Sequence, residues 1–348
     1  MSITGRILRS NVDMTQGKPL TVIFSFALPL LVGNLFNQLY NVVDTAIVGR
    51  ALGADALAAV GSTGNINACL FLLLGGLSTG VGVIVAQYWG AQRYEALRRL
   101  LGTFFTLLLA GSVLLSVLGV ALAAPILRLL QIPADLLDMG VTYLRITAGL
   151  LLGNALYNAA SAVLRSTGDS RTPLAAMAAS SLCNIALDLW FILGLRMGVA
   201  GAALATVAAQ FLSALICLWV LWRRKKPFAF ASVRLCFNSE DAALILRFGL
   251  PTALQSCMIT LGGMTVQGIV NSFGSVTMAA YTAVQRIDSL TIQVVVSVSN
   301  ALAVYTGQNM GRRDIDRVRQ GLRATLKALC VICLGLALAV FASRRLLL

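Results

Sequence analysis

The sequence predicts an all-α polytopic membrane protein, and three observations support this fold class. Hydrophobic residues make up 58% of the 348 positions and charged residues only 11%. Soluble domains usually carry roughly 25% charged residues. Apolar stretches long enough to cross roughly 30 Å of hydrocarbon recur along the chain. The basic residues behind the net charge of +14 lie in short clusters between these stretches, which argues against nucleic acid as a partner.

The apolar stretches predict nine transmembrane helices. We place them near residues 20–48, 55–88, 98–124, 137–162, 173–194, 198–222, 242–271, 277–306 and 322–342. The fifth helix has the clearest start, because Thr172 can cap it and Pro173 fits its first turn. Pro29 and Pro251 lie inside the first and seventh helices, where proline interrupts hydrogen bonding. We expect both prolines to kink their helices and to serve as hinges.

The distribution of basic residues predicts the orientation. Alternate loops carry 20 of the lysine and arginine residues, whereas the opposite loops and the end of the chain carry five. Loops rich in lysine and arginine stay in the cytoplasm. The N-terminus is therefore predicted to be cytoplasmic.

An internal repeat divides the chain. Residues 87–90 (Gln-Tyr-Trp-Gly) align with residues 308–311 (Gln-Asn-Met-Gly) at a period of about 221 residues, and Leu28-Pro29 aligns with Leu250-Pro251. Equivalent points are six helices apart, so both halves have the same topology. Parallel repeats of this kind are typical of transporters.

The repeat predicts three regions. Residues 1–222 form an N-terminal lobe of six helices, residues 223–238 form a basic cytoplasmic linker, and residues 239–348 form an incomplete C-terminal lobe of about three helices. If the second lobe matched the first, the protein would have twelve helices. We therefore expect nine of twelve helices in this chain.

Polar residues inside the predicted helices indicate a cavity in the first lobe. An ionised carboxylate in a span costs about 2.5–3.5 kcal/mol on insertion scales. The presence of Asp44 and Asp188 inside predicted helices therefore indicates a functional role for them. Helical periodicity places each of them on a polar face, and the fourth and sixth helices have polar faces too. The residues on these faces are Asn37, Asn41, Asp44, Tyr143, Asn154, Asn158, Asn184, Asp188, Thr206 and Gln210. The competing interpretation is that the amides and hydroxyls only join neighbouring helices.

The second lobe offers fewer candidates. Gln255, Gln285 and Asp288 are polar residues inside its helices, and Asp288 could pair with Arg286 or join a polar stripe. The chain has no histidine, so carboxylates must carry any proton chemistry. We found no phosphate loop, metal cluster or nucleophile–base pair in the sequence. We therefore expect neither an enzyme nor a bound cofactor or metal.

Several segments resemble a known transporter family. They are Val43-Asp44-Thr45, residues 48–50 and 56–61, the loop Leu164–Pro173, Asn184–Asp188 and Gly198–Thr206. Together they are similar to the multidrug and toxic compound extrusion (MATE) family over nearly the whole chain. The resemblance implies two six-helix lobes in a V that exchange a cation for an amphipathic, often cationic drug.

The resemblance also assigns roles to residues. Asp44, Asn184, Asp188 and Thr206 correspond to the polar cluster where coupling ions act in the branch that includes the DNA-damage-inducible proteins, and Tyr143 joins that cluster. Other branches place an acidic residue in the seventh helix, where this chain has Gln255 and Gln267. Coupling through the first lobe is therefore favoured.

These inferences predict a monomeric, multi-pass protein of the bacterial inner membrane. The coupling ion is a proton or sodium, with the proton favoured, and the partners are small amphipathic cations and the lipid bilayer. Two alternatives stay open. One is a flippase for lipid-linked oligosaccharides, which more often has a cationic cavity for pyrophosphate. The other is an inactive remnant that lacks three helices.

Overall fold

A computed structural model describes residues 12–224 and 227–347, and in these ranges all regular secondary structure is helical. The all-α prediction is therefore confirmed. The longer helices are α1 (Pro19–Gly90), α2 (Tyr94–Leu129), α3 (Ala134–Gly149), α4 (Leu152–Ser166), α5 (Arg171–Asp188), α6 (Gly198–Arg223), α7 (Ser239–Asn271), α8 (Ser275–Gly311) and α9 (Ile315–Leu347). A π-helical turn, Leu189–Gly194, extends α5, and a short 3₁₀ helix, Phe230–Ser232, precedes α7.

Helix α1 is two helices joined at Gly53. Its 72 residues would extend about 108 Å at the usual rise per residue, far more than one bilayer. Gly53 has φ 88° and ψ −179°, which separates residues 19–52 (α1a) from residues 54–90 (α1b). Val48 before the break and Ala56 after it are buried in one hydrophobic cluster. The predicted gap between residues 48 and 55 contains this break.

The backbone at Gly53 provides a test of this turn. We expect Gly53→Ala to lower the free energy of unfolding by about 1–2 kcal/mol, because a β-carbon is disfavoured at positive φ. A β-carbon at Gly53 would meet no atom within 4 Å, so the effect comes from the backbone alone. Gly61 is helical and has equally open surroundings. Gly61→Ala should therefore be neutral or stabilising. Thermal unfolding in detergent checks the difference, and equal shifts would contradict it.

The predicted single helix at residues 137–162 is wrong. Helices α3 and α4 meet at an angle of 45° with Leu150 and Leu151 between them. Leu151 is completely buried in the main core, whereas Leu150 is 40% exposed. Gly149, a poor helix former, precedes the bend. Packing of Leu151 into the core therefore overrides the continuous apolar pattern that suggested one helix.

The start of α5 also differs from its prediction. The helix begins at Arg171, and Thr172 does not cap it. The Asp169 carboxylate instead accepts hydrogen bonds from the backbone amides of Arg171 (3.1 Å) and Thr172 (3.0 Å). An aspartate before the helix thus provides the acceptor that the first amides need.

The number of spans depends on how α1 and α8 are counted. Among the described residues, six helices are long and apolar enough to cross a membrane, or seven if α3 and α4 form one bent span. Helix α8 is not among them. The count of nine stays a prediction, since it requires α1 to cross twice, α3 and α4 to form one span, and α8 to cross as well.

The two copies of the repeated segment contact each other. The backbone of Gly90 in α1b lies against the backbone of Gln308 in α8, and Gly311 lies against Gln87 in the same way. A β-carbon at either glycine would overlap backbone atoms of the other segment. This reciprocal contact resembles the isologous interface of a twofold-symmetric dimer.

Other glycines show where the described parts of helices α7 and α8 approach the N-terminal helices. Near the repeated segments, Gly76 and Gly80 of α1b touch the backbone of α7 at Ala253 and Gly249. Toward the opposite end, a β-carbon would meet no atom within 4 Å at Gly61, Gly64, Gly262, Gly263 or Gly268. We call the end with residues 90, 166–170 and 308–314 the closed end, and the end with Gly53 and residues 195–197 the open end. The helices therefore form a V that narrows at the closed end.

The segment predicted as a basic linker is packed against α2. The Arg234 carbonyl lies close to Gly102, and the amide of Asn238 donates to the Thr103 hydroxyl (3.2 Å). Arg99 of α2 forms an ion pair with buried Asp241 of α7 (2.7 Å). The division into lobes at this segment stays a prediction, but the segment itself is held in place.

Pro29 and Pro251 lie inside α1 and α7, as expected. The only non-helical backbone within these two helices is at Gly53. Neither proline breaks its helix, and their role as hinges stays a prediction.

Candidate functional site

A cavity of about 550 Å³ lies within the N-terminal helices, between α1, α3, α4, α5 and α6. Most of the polar residues that the sequence singled out line it. These are Asn37, Asn41, Asp44, Tyr143, Asn154, Thr206 and Gln210. The polar faces of the first, fourth and sixth predicted helices therefore do meet in one cavity, whereas Asn184 and Asp188 of the fifth helix are not in its wall.

Sequence reasoning missed several residues of the cavity wall. They are Tyr40, Asn67, Phe71, Tyr157, Met177, Ser180 and Ser181. Some of them were recognisable: Tyr40 is one turn from Asp44 on the same helix, and Ser180 is one turn from Asn184. Tyr157 is three residues after Asn154, on the same face of its helix, and was recognisable in the same way. Phe71 and Met177 carry no signal that separates them from ordinary packing residues.

Asp44 and Asp188 lie together at this cavity. Asp44 is half-buried and lines it, whereas Asp188 is completely buried behind the wall. Their side chains lie close enough to interact electrostatically. Nothing in the described chain donates to Oδ1 of Asp44 or to either carboxylate oxygen of Asp188. Two ionised carboxylates that lie close together repel each other, and a proton on one of them would remove that repulsion.

Hydroxyl and amide groups surround the pair. Tyr40, Tyr143 and Thr206 line the same cavity, and the Thr206 hydroxyl donates to the Ala202 carbonyl (3.0 Å). Asn184 is completely buried, and within the described ranges neither atom of its amide has a hydrogen-bond partner. A buried amide usually has partners. The acidic pair and Asn184 therefore form a group of oxygens and donors whose bonding is incomplete.

Hydrogen bonds elsewhere in the wall mostly stay within one helix. Asn158 donates to the Asn154 side chain (2.9 Å), and Asn41 donates to the Asn37 side chain (3.3 Å). Thr147 donates to Asn67 of α1b (3.0 Å), which joins two helices. The interpretation that amides join neighbouring helices thus fits Asn67 but not Asn158. Asn158 supports Asn154 and is outside the cavity wall.

The charge of the cavity is negative. Asp44 is the one ionisable carboxylate among the residues described as its lining, and no lysine or arginine is among them. An acidic, amide-rich and aromatic wall favours a cation over an anion.

The candidates in the C-terminal helices do not join this site. Gln255 and Asp288 are exposed, and Gln285 donates to the Tyr281 hydroxyl on its own helix (2.8 Å). The side chain of Arg286 lies outside the described residues, so its pairing with Asp288 stays a prediction. None of these candidates lines the cavity of the N-terminal helices.

Comparison with known proteins identifies the family. The MatE family model matches residues 29–190 and 251–348. The chain is 34% identical over 309 residues to the probable multidrug resistance protein YpnP of Bacillus subtilis, covering 88% of this chain and 68% of that protein. It is 33% identical over 305 residues to the probable multidrug resistance protein YoeA of the same organism, covering 86% and 66%. The chain therefore spans about two thirds of the length of these relatives.

Solved structures agree on the fold. A MOP superfamily transporter from Pyrococcus furiosus superposes with a TM-score of 0.88 at 24% identity, over 97% of this chain and 75% of that one. A MATE structure in a bent conformation superposes with a TM-score of 0.89 at 23% identity, over 97% and 75%. These proteins are transporters and not enzymes. The chain belongs to the MATE family of multidrug and toxic compound extrusion transporters.

Proposed function

We propose that this chain is part of an antiporter that exports amphipathic cations in exchange for protons. The observation that carries the proposal is the contact between Asp44 and Asp188 beside a polar cavity of about 550 Å³. Drug-sized ligands occupy pockets of about 300–1,000 Å³. A cationic compound would occupy the cavity next to Asp44.

The geometry favours a proton over sodium as the coupling ion. A proton on either aspartate allows one O–H···O bond between the carboxyl groups. A sodium ion between the same oxygens would need room and further oxygen ligands. Neutral oxygens of side chains such as Asn184 and Thr206 could provide such ligands, so sodium is the alternative that a transport experiment must separate.

Exchange follows because the proton and the cationic compound compete for the negative charge of the aspartate pair. Protonation of the pair removes negative charge from the cavity and weakens its attraction for a cationic compound. Loss of the proton restores that attraction. Proton entry and export of the compound are therefore coupled through one site.

An anionic substrate is less compatible with this cavity. A flippase for lipid-linked oligosaccharides would hold a pyrophosphate, for which the described lining offers no lysine or arginine. A relative 25% identical to this chain is named FAD transporter, from Shewanella oneidensis. FAD is also an anion, so it provides a contrasting substrate for the test.

The location and orientation are part of the proposal. The closed end has the loops richest in lysine and arginine, which supports a cytoplasmic closed end in an inner membrane. The cavity then faces outward, because the V widens toward the open end. We propose a monomer, since the cavity is enclosed by helices of one chain.

Transport by the protein from its complete reading frame tests the proposal. Purified protein in liposomes should accumulate the fluorescent cation ethidium when an imposed gradient drives protons out of the liposomes. A sodium gradient at clamped pH should have no effect, and radiolabelled FAD should not move. Transport that requires sodium would replace the proton in this mechanism. FAD transport without ethidium transport would contradict the cationic substrate.

A further inference from the structure

Three elements of the closed end converge on the loop between α4 and α5. Gln308 of α8 donates from its side chain to the carbonyl of Ser166 (2.8 Å). The amide of Val12 donates to the carbonyl of Gly168 (2.9 Å). Arg224 at the end of α6 pairs with Asp169. The first of these bonds joins the C-terminal helices to the N-terminal helices.

The strap at residues 12–14 connects to both sides as well. While Val12 binds the loop at Gly168, the side chain of Asn309 donates to the carbonyl of Met14 (3.0 Å). Met14 is completely buried in a cluster that includes Phe26 of α1a and Tyr305 of α8. The strap therefore bridges α8 and the α4–α5 loop across the closed end.

These bonds are buried and few. Gln308 is 2% exposed and Asn309 is 0% exposed. Within the described residues, no donor reaches Oδ1 of Asn309. A buried acceptor without a partner disfavours the closed arrangement, and water would satisfy it if the closed end separated. The contact is thus specific, yet it opposes separation with only a small number of hydrogen bonds.

We propose that Gln308, Asn309 and the strap at residues 12–14 form a latch that holds the closed end shut. The latch opens when the cavity becomes accessible from the cytoplasm. The proposal rests on the proposed antiport, since alternating access in transporters built from repeats requires the two lobes to rock against each other. The Arg224–Asp169 pair stays within the N-terminal helices and need not break. The bonds of Gln308 and Asn309 cross between the two sets of helices and must break.

The latch makes Gln308 and Asn309 positioning residues, since neither lines the cavity. Loss of their two bonds should shift the equilibrium toward the inward-open state. For two hydrogen bonds of ordinary strength we expect a change of about tenfold in the ratio of the states. Binding at the Asp44–Asp188 site should remain.

Distance measurements test the latch without relying on transport. The seven native cysteines are replaced by alanine. Spin labels are then attached at Arg93→Cys, beside α2, and at Arg319→Cys, in α9, two exposed positions near the closed end. In lipid nanodiscs, pulsed electron resonance should give mainly a short distance for the parent protein. The Gln308→Ala/Asn309→Ala variant should gain a longer distance.

A matched control and a second variant complete the design. Asn300→Ala removes an exposed amide from the same helix, α8, and should leave the distances unchanged. Gly168→Ala places a β-carbon against the Val12 carbonyl at positive φ, which should displace the strap and also lengthen the distance. This variant keeps the test valid if the double variant does not fold.

Each outcome decides the proposal. Unchanged distances in both latch variants, or equal lengthening in Asn300→Ala, would overturn the latch. Lengthening in the latch variants together with absent ethidium transport in the parent protein would support the latch and reject the proposed substrate. Normal ethidium transport with unchanged distances would keep the proposed function and reject the latch.

Discussion

Replacement of Asp44 or Asp188 by asparagine should stop proton-driven export while the protein still folds. Asparagine keeps the size of the side chain but cannot exchange a proton. Coupling free energies in proteins typically correspond to about 5–150-fold, so we expect export to fall by at least about tenfold. Ethidium transport in proteoliposomes, with protein level checked by size-exclusion chromatography, measures the effect.

The two variants should differ in how they bind substrate. Asp44 lines the cavity and would contact the cation directly, whereas Asp188 is buried behind the wall. Asp44→Asn should therefore weaken ethidium binding at neutral and alkaline pH, where the parent protein keeps the negative charge of the pair. Asp188→Asn should still bind ethidium, but its binding should decrease much less at acidic pH than that of the parent protein. Fluorescence polarisation across a pH series separates these results.

Asn158→Ala provides the control for both variants. Asn158 bonds to Asn154 on its own helix and is outside the cavity wall. We expect its export to stay near the parental rate. If Asp44→Asn and Asp188→Asn both export normally, the carboxylates are structural and the proposed mechanism is wrong.

Loss of the Asp169 carboxylate should lower the stability of the protein more than loss of the Gly53 turn or of an exposed ion pair. This carboxylate is 1% exposed, pairs with Arg224 and also accepts from two backbone amides of α5 and from the Thr172 hydroxyl (2.7 Å). Breaking a buried ion pair typically costs about 3–5 kcal/mol. Because Arg224 is 21% exposed, we expect the lower part of that range, about 3 kcal/mol, for Asp169→Ala. The melting temperature should fall by roughly 4 °C.

A surface ion pair provides the comparison for Asp169. Glu95 pairs with Arg98 one turn away, but its side chain is 85% exposed. Exposed pairs contribute about 0–1 kcal/mol, so Glu95→Ala should change the melting temperature little. Melting curves of the two variants in the same detergent give the contrast. Similar shifts would mean that burial of Asp169 does not matter.

The sequence predicted the cavity better than the bends of the helices. A polar side chain in an apolar helix is conspicuous, and helical periodicity assigns it to a face, so Asp44 and Asn154 were placed correctly. The bend at Leu150 and Leu151 has no proline, and its cause is the burial of Leu151 in a core built from distant parts of the chain. Such a cause is invisible to a pattern read along one segment.

The same limit explains the residues that were missed. Phe71 and Met177 line the cavity because of where α1b and α5 pass, and their side chains resemble ordinary packing residues. The sequence indicates Gln308 only as part of a repeat. Its bond to the Ser166 carbonyl depends on a contact between residues 142 positions apart. Helix type and polarity are local properties, whereas partners across the bundle are not.

The packing of residues 234–238 against α2 determines where the chain tolerates insertions. A free tether accepts extra residues at little entropic cost, and fusion tags are commonly placed in such tethers. Here an insertion between Arg234 and Asn238 would displace the Asn238 side chain, which accepts from the Asp241 amide at the start of α7 (3.0 Å). It would also disturb the ion pair between Asp241 and Arg99. A reporter domain inserted there would therefore compete with the start of α7.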